Sequence, residues 1–236
     1  MCASSPSVSP VSAGRCCIRC APHPATRLSS ARGCSLRAVR LIDLGCFRPG
    51  SDSAEDEFGS HGLTTIERRH VHARHGALVF DFVGKAGVEQ SIEIDDEDVI
   101  EVLGPLRRGR DRGARLLMVR EAGRPRALTP AEVNDHIREV SGLDVTAKDI
   151  RTWHATVTAA AALATQPLPQ SERARRARVS EAVAASAELL GNTPAVARSS
   201  YVDPRVIDLF EAGTVLDPLP GGPDALDRAL AALLHP

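Results

Sequence analysis

The chain has 236 residues, of which 43% are hydrophobic and 25% charged, a balance that is typical of a globular protein and excludes a wholly disordered or collagen-like chain. Its 29 basic and 30 acidic residues give a formal net charge of −1, so any nucleic-acid-binding surface must come from local clustering of charge. No apolar run approaches the roughly 20 residues that a membrane-spanning helix needs.

The N-terminal segment differs in composition from the rest of the chain. Residues 1–42 contain six arginines and no acidic residue, and they hold five of the six cysteines. Cys17 and Cys20 have the spacing of a metal knuckle, but no second pair follows, which disfavours a zinc site. Because no hydrophobic period runs through residues 1–36, we expect residues 1–37 to be irregular: disordered, misread, or an organellar transit segment.

Regular patterning begins near Ala38, with a helix end at 38–47 and an acidic, Gly/Ser-rich loop at 50–62. Apolar residues then alternate in two predicted strands, 78–83 and 89–94. The residues between these strands predict a β-hairpin with Lys85 at its tip. An acidic run to position 101 and eight arginines between positions 107 and 126 follow; such an arginine stretch is typical of a solvated face or of a surface that follows phosphates.

Helices are predicted for the remainder. One runs from Thr129 to about position 140, and a second starts at a capping box of Thr146 and Asp149. A long amphipathic helix extends over 171–190, and three short helices follow, the first of them leading to Tyr201. This order indicates an α+β fold that is mostly α, in which a small β-hairpin region precedes a helical bundle.

Several short motifs carry chemistry, and each also has a structural interpretation. Arg151 lies in the first turn of a predicted helix, where backbone N–H groups and a guanidinium can converge on one anion, or where an arginine is simply solvated. Tyr201, the sole tyrosine, can be a core residue, and Lys85 can be a solvated turn residue. The sequence has no Walker loop, no dinucleotide-binding glycine motif and no zinc-protease motif, so neither nucleotide hydrolysis nor metal catalysis is predicted.

Taken together and in order, the motifs resemble the catalytic domain of type IB DNA topoisomerases of the bacterial, poxvirus-like branch. The segments that carry the resemblance are LGCFRPGS at 44–51, GLTT at 62–65, FVGKAG at 82–87, KDIRTW at 148–153, LGNTP at 190–194 and SYV at 200–202. The resemblance covers about 38–215 and implies the helical catalytic fold that these enzymes share with tyrosine recombinases. Pro49 stands where the branch usually has an aliphatic residue, and His61 where an aromatic residue is common.

The resemblance implies a role for five residues. Tyr201 attacks a backbone phosphate to form a 3′-phosphotyrosyl bond, and Lys85 protonates the leaving 5′ oxygen. Arg48 and Arg151 match two phosphate-binding arginines, and Asn192 stands where many relatives have a histidine that donates to a non-bridging oxygen. Because this transesterification conserves bond energy, the resemblance implies no ATP, no metal and no other cofactor.

The implied partner is double-stranded DNA, with no membrane or nucleotide partner. Its phosphates are expected to contact Arg68, Arg69, Arg74 and Lys148. We expect a monomer in the cytoplasm, on the bacterial nucleoid.

The predicted domain limits are an irregular segment at 1–37, a catalytic domain at 38–215, and a tail with a short helix at 216–236. Members of the family carry an N-terminal domain that closes a clamp around the duplex. Because residues 1–37 are too short to form it, we expect the clamp domain to be missing from this chain.

Two alternatives remain open. A tyrosine recombinase or integrase forms the same covalent intermediate, but its second arginine usually lies in a His-x-x-Arg motif, where this chain has Lys148. The triplet at 192–194 also follows the topoisomerase pattern. The other alternative is a DNA-binding fragment with little or no activity, because a chain without the clamp reaches the duplex from one side.

Overall fold

The described part of the chain is an α+β fold that is mostly α. The structure, a computed structural model, describes residues 31–217 and 219–235. Its helices and strands are, in chain order, α1 (Ala31–Gly45), α2 (Asp52–Phe58), β1 (Val71–Arg74), β2 (Ala77–Val83), β3 (Glu89–Ile94), α3 (Glu97–Leu106), β4 (Met118–Glu121), β5 (Arg124–Ala127), α4 (Pro130–Ser141), α5 (Ala147–Ala164), α6 (Glu172–Leu190), α7 (Pro194–Ser200), α8 (Pro204–Glu211) and α9 (Pro223–Leu234). Strands β1, β2 and β3 form an antiparallel sheet in that order, and β4 pairs antiparallel with β5. None of these helices is both long and apolar enough to cross a membrane.

Helix α1 begins at Ala31, inside the segment that the sequence predicts to be irregular. Cys34, Ala38, Leu41 and Ile42 recur at helical spacing and are buried in one hydrophobic core. The prediction is therefore wrong for 31–37, because burial against the core stabilises a helix whose start has no acidic first turn. The prediction for 1–30 lies outside the described residues.

Strands β2 and β3 form the predicted hairpin. Phe82 pairs with Gln90 in the register, so the two side chains lie on the same face of the sheet. Residues 84–88 form the connecting loop, in which Ala86 adopts left-handed backbone angles (φ 64°). Lys85 lies in this loop and is exposed, as the sequence predicts.

Several elements occur where the sequence predicts loop or surface. Part of the expected loop at 50–62 is α2, and the acidic run folds as α3, where the Asp96 carboxylate accepts a hydrogen bond from Val99 N–H at 3.0 Å. The arginine stretch contains β4 and β5, joined at Ala122 and Gly123, both of which have positive φ (47° and 82°).

Helix α5 contributes to two hydrophobic cores. Ile150 belongs to the core that includes α1 and the sheet, whereas Ala155 belongs to the core formed with α6, α8 and α9. Between them, His154 Nε2 lies 3.1 Å from Asp43 Oδ1 of α1, and both side chains are buried. The segment of α5 around Arg151 is therefore held from both sides.

Helix α9 packs on the second core. Leu226, Leu230 and Leu234 are buried there, and the Trp153 indole N–H of α5 donates to Asp227 Oδ1 at 2.8 Å. Burial raises the pKa of the Asp227 carboxyl. The segment predicted as a tail thus shares a core with the predicted catalytic domain, whose limits at 38–215 remain a prediction.

Candidate active site

Arg48 is fixed by backbone pairing directly after α1. Its carbonyl accepts from Leu63 N–H at 2.8 Å, and the carbonyl of Pro49 accepts from Thr64 N–H at 2.8 Å. A Cβ placed on Gly62 would collide with the backbone of Gly50, so this approach requires glycine. The GLTT motif therefore positions Arg48.

Arg151 is buried near the start of α5. The Asp149 carboxylate accepts from Thr146 N–H at 2.8 Å, which forms the predicted capping interaction and sets where the helix begins. The Arg151 side chain is 2% exposed, and its Nη2 donates to the carbonyl of Leu190 at 3.3 Å. Its Nε is buried and has no hydrogen-bond partner, which leaves a donor available to an anion.

Asn192 follows the end of α6. Gly191 has positive φ (59°), and Asn192 N–H donates to the carbonyl of Ala187 at 2.8 Å, the pattern of a Schellman helix end. The Asn192 side-chain oxygen accepts from Arg48 Nη2. Its Nδ2 is buried without a partner, so this amide also keeps a free donor.

The Tyr201 side chain lies beside the guanidinium groups of Arg48 and Arg151. Arg48 Nη1 donates to it at 3.2 Å, and the guanidinium carbons of Arg48 and Arg151 lie 5.9 and 5.3 Å from the ring centroid. Burial by itself raises the pKa of Tyr201, but the charges of Arg151 and Arg48 outweigh burial and hold this pKa below its ordinary value. The two guanidinium groups therefore make ionisation of the Tyr201 hydroxyl easier than in water.

Two cavities are both lined by Arg48 and Arg151. Lys85 lines one of them together with Arg48 and Arg151. A cleft of about 300 Å³ lies beside Arg48, Lys148, Arg151 and Tyr201. The structure thus gathers the five predicted catalytic residues around one locus: Arg48, Arg151, Asn192 and Tyr201 through direct contacts, and Lys85 through the shared cavity.

The arrangement suits a reaction at an anionic centre that gains negative charge. It combines the Tyr201 hydroxyl with two guanidinium groups and two buried donors that have no hydrogen-bond partner. Fixed donors of this kind stabilise a charged transition state without costly reorganisation. Among the described residues, no three His, Cys, Asp or Glu side chains come together as metal ligands.

A family model described as the catalytic core of eukaryotic DNA topoisomerase I matches residues 29–209. The chain belongs to this topoisomerase family. It is 24% identical over 170 residues to DNA topoisomerase 1B of Acanthamoeba polyphaga mimivirus, and the alignment covers 70% of this chain and 51% of the viral protein. The chain thus spans about half the length of the curated relative that it matches.

The four predicted DNA-binding residues of this topoisomerase-family chain lie in different settings. Lys148 is exposed at the cleft beside Tyr201, and Arg74 is exposed at the end of β1. Arg69 forms an ion pair with Glu67, and Arg68 packs on the loop after α3, where its Nη1 donates to the carbonyl of Asp111 at 3.2 Å. Of the four, only Lys148 lines either of the two cavities at the active site.

Part of the arginine stretch serves the fold. Arg115 Nη1 pairs with Asp52 at 2.8 Å and its Nη2 with Glu55 of α2, also at 2.8 Å. Arg126 pairs with Glu121 and Glu132 at 2.7 Å each. Such arginines already have carboxylate partners, so they are poorer candidates for DNA phosphates than exposed residues.

Two further residues line the cavity of Lys85, and the sequence did not single them out as site residues. His61 Nδ1 lies 3.1 Å from the carbonyl of Thr65, and its ring contacts His70 at 4.4 Å between centroids. Burial lowers the pKa of His70 to about 4, and the neighbouring His61 contributes to this shift. The second residue is Gln90. In the predicted hairpin Gln90 pairs with Phe82, and this pairing is the sequence signal that could have placed its side chain on the same face of the sheet.

Proposed function

We propose that this chain relaxes supercoiled double-stranded DNA by cutting and rejoining one strand through a 3′-phosphotyrosyl intermediate, with neither ATP nor a metal. The observation that carries the proposal is the Tyr201 hydroxyl, hydrogen-bonded by Arg48 at 3.2 Å beside the buried Arg151. Family membership favours this reaction over the recombinase alternative.

In the proposed cleavage step, the Tyr201 oxygen forms a bond to phosphorus and the bond from phosphorus to the 5′ oxygen breaks. The tyrosine proton leaves to water, and Lys85 gives its proton to the 5′ oxygen. Religation reverses each event: the 5′ hydroxyl attacks the phosphotyrosine, Lys85 takes the proton and Tyr201 leaves. One phosphodiester is exchanged for another, so no external energy source is consumed.

The remaining side chains stabilise the charge that builds up on the phosphate. Arg48 and Arg151 supply fixed positive charge, and the unpaired Nδ2 of Asn192 donates to a non-bridging oxygen. Asn192 does not titrate, so it leaves the general-acid role to Lys85. Lys148 lines the cleft beside Tyr201 and binds a neighbouring phosphate.

We further propose that the protein acts as a monomer on the nucleoid, in the bacterial cytoplasm. The support is the likeness of its motifs to the bacterial branch of the family, together with family membership.

Trapping of a covalent adduct tests the proposal. A duplex labelled at the 5′ end of the cleaved strand is incubated with the protein and then denatured. We expect a labelled protein–DNA adduct with the wild-type chain and none with Tyr201→Phe, which removes the attacking oxygen. Tyr201→Phe is expected to bind the duplex normally.

Other outcomes decide between the alternatives. Binding without an adduct in the wild-type chain would identify a DNA-binding fragment. An adduct accompanied by strand exchange between duplexes, with no plasmid relaxation, would identify a recombinase.

A further inference from the structure

Gln90 connects the loop of Lys85 to the part of the site that holds Asn192. It lies on β3, and its side chain shares a face with Phe82, whose ring stacks on Phe47 at 6.1 Å between centroids. Phe47 is the residue before Arg48. The Gln90 side chain therefore lies on the side of the hairpin that faces the site, and it lines the same cavity as Lys85.

Two glycines leave the space that this side chain fills. A Cβ placed on Gly84, the residue before Lys85, would lie 2.9 Å from Gln90 Cγ. A Cβ placed on Gly191, the residue before Asn192, would lie 2.6 Å from the Gln90 amide nitrogen. One side chain thus touches the backbone on both sides of the cavity.

The inference rests on the function proposed above. We propose that Gln90 is a positioning residue, which holds the Lys85 loop at a fixed distance from the helix end that carries Asn192 and thereby places the Lys85 ammonium on the leaving 5′ oxygen. Gln90 itself touches neither the reacting atoms nor the DNA.

The Lys85 loop needs such a support. Lys85 has a long, flexible side chain in the loop at 84–88, whose residues 85–88 are exposed and in which Ala86 adopts a left-handed conformation. A general acid acts only within hydrogen-bond reach of its target, and a small displacement of a catalytic group costs rate out of proportion to its size. Fixing the base of the loop at Gly84 limits where Lys85 can reach.

The contact is one of packing. The side-chain amide of Gln90 forms no hydrogen bond with any residue in the described part of the chain. A side chain of similar length without an amide therefore fills the same space. Gln90→Met is expected to keep the support, and Gln90→Ala is expected to lose it.

The experiment compares single-turnover cleavage of two substrates. One has the ordinary 5′ oxygen at the scissile bond. The other has sulfur there, which leaves without protonation and so does not need Lys85. We expect Gln90→Ala to cleave the oxygen substrate at least about 10-fold more slowly and the sulfur substrate at nearly the wild-type rate. Lys85→Ala serves as the reference for complete loss of the acid, roughly 10²–10⁴-fold.

Matched variants separate positioning from folding. Ser91→Ala alters an exposed neighbour on the same strand and is expected to cleave both substrates normally. Gln90→Met is expected to lie close to the wild type. If Gln90→Ala slows both substrates equally, or neither, the proposed positioning role is wrong.

A second readout does not depend on activity. Hydrogen exchange of the backbone amides at 84–90 is expected to be several-fold faster in Gln90→Ala and unchanged in Ser91→Ala. Unchanged exchange in Gln90→Ala would overturn the inference even if the wild-type chain forms no adduct, an outcome that would overturn the proposed function separately.

Discussion

Tyr201 lies among cations. Its hydroxyl accepts from Arg48, and the buried guanidinium of Arg151 lies over the ring, so two positive charges favour the ionised oxygen against the opposing effect of burial. A nucleophile with a lowered pKa is closer to its reactive form before any proton transfer. In the proposed mechanism the two arginines therefore have two roles: they lower the pKa of the tyrosine, and they bind the phosphate that it attacks.

Removing one of these charges is expected to raise the pKa of Tyr201. Arg48→Met keeps much of the side-chain volume but deletes the charge and the hydrogen bond. Because the chain contains a single tyrosine, an ultraviolet absorbance titration of tyrosinate reports this residue alone. Arg74→Met, at an exposed site on β1, is the matched control and should leave the titration where it is. An unchanged midpoint in Arg48→Met would contradict the role of Arg48 in lowering this pKa.

Asn192 contributes a donor that does not titrate. We expect Asn192→His to retain cleavage activity within about 10-fold, because an imidazole N–H can donate to the same phosphate oxygen. Asn192→Ala, which removes the donor, is expected to lose about 10²-fold or more. The measurement is the single-turnover cleavage rate across pH, and a His variant as slow as the Ala variant would show that the pocket requires the amide.

At the scale of elements, the sequence predicts the segments whose signals are local. The Thr146–Asp149 cap marks the start of α5, and Gly191 marks the end of α6, as the structure confirms. The motifs also led to the five residues that the structure brings together. The sequence did not indicate strands β4 and β5, because each is only four residues long and Arg120, Arg124 and Arg126 leave no apolar alternation. It did not indicate α2, because polar, acidic residues in a Gly/Ser-rich segment give no apolar period. Helix α2 forms ion pairs with Arg115, which is distant in the sequence, so no local pattern shows this contact.

One of these ion pairs fixes the start of α4. Arg126 Nη1 and Nη2 donate to the two oxygens of Glu132, at 2.9 and 2.7 Å, and Glu132 also accepts from Thr129 N–H. The hydrogen bonds from Arg126, which outweigh burial, lower the pKa of the Glu132 carboxyl to about 2. Since this pKa is below the unfolded value, the pair stabilises the fold above about pH 4.5, and that contribution is lost as the pH falls through 2.

Glu132→Gln is accordingly expected to lower the free energy of unfolding by about 1–2 kcal/mol at pH 7, the usual worth of a cap and a charge-assisted hydrogen bond. The deficit is expected to shrink as the pH approaches 2. Urea unfolding at pH 7 and pH 3 measures both effects. Glu181→Gln on the exposed part of α6 is the control, and a deficit that does not depend on pH would contradict the assignment.

At the scale of the whole molecule, the site lies where the two cores meet. Arg48 follows α1, Arg151 lies on α5 between residues of the two cores, and Tyr201 is buried in the second core. The candidate catalytic residues are therefore held by elements of both cores. Lys148 lies on α5 near Arg151, but unlike Arg151 it is exposed.

Lys148→Ala is expected to weaken DNA binding and to lower the salt dependence by about one unit of slope in log affinity against log salt, the effect of losing one phosphate contact. Binding is measured by anisotropy with a labelled duplex in a Tyr201→Phe background. Arg115→Ala breaks ion pairs to α2 and is expected to reduce stability with little change in that slope. Equal slopes in Lys148→Ala and its parent would rule out a phosphate contact at this position.

The hydrogen bond between Trp153 and Asp227 makes the intrinsic fluorescence of the protein sensitive to the docking of α9. Trp153 is the sole tryptophan of the chain and lies two residues beyond Arg151, and its partner belongs to α9. Its emission spectrum therefore depends on whether α9 is docked beside the helix that carries Arg151. Trp153 is partly buried, and undocking of α9 is expected to expose its indole further to water and to shift the emission to longer wavelength. Intrinsic fluorescence thus follows, without any attached dye, a structural event two residues along α5 from Arg151.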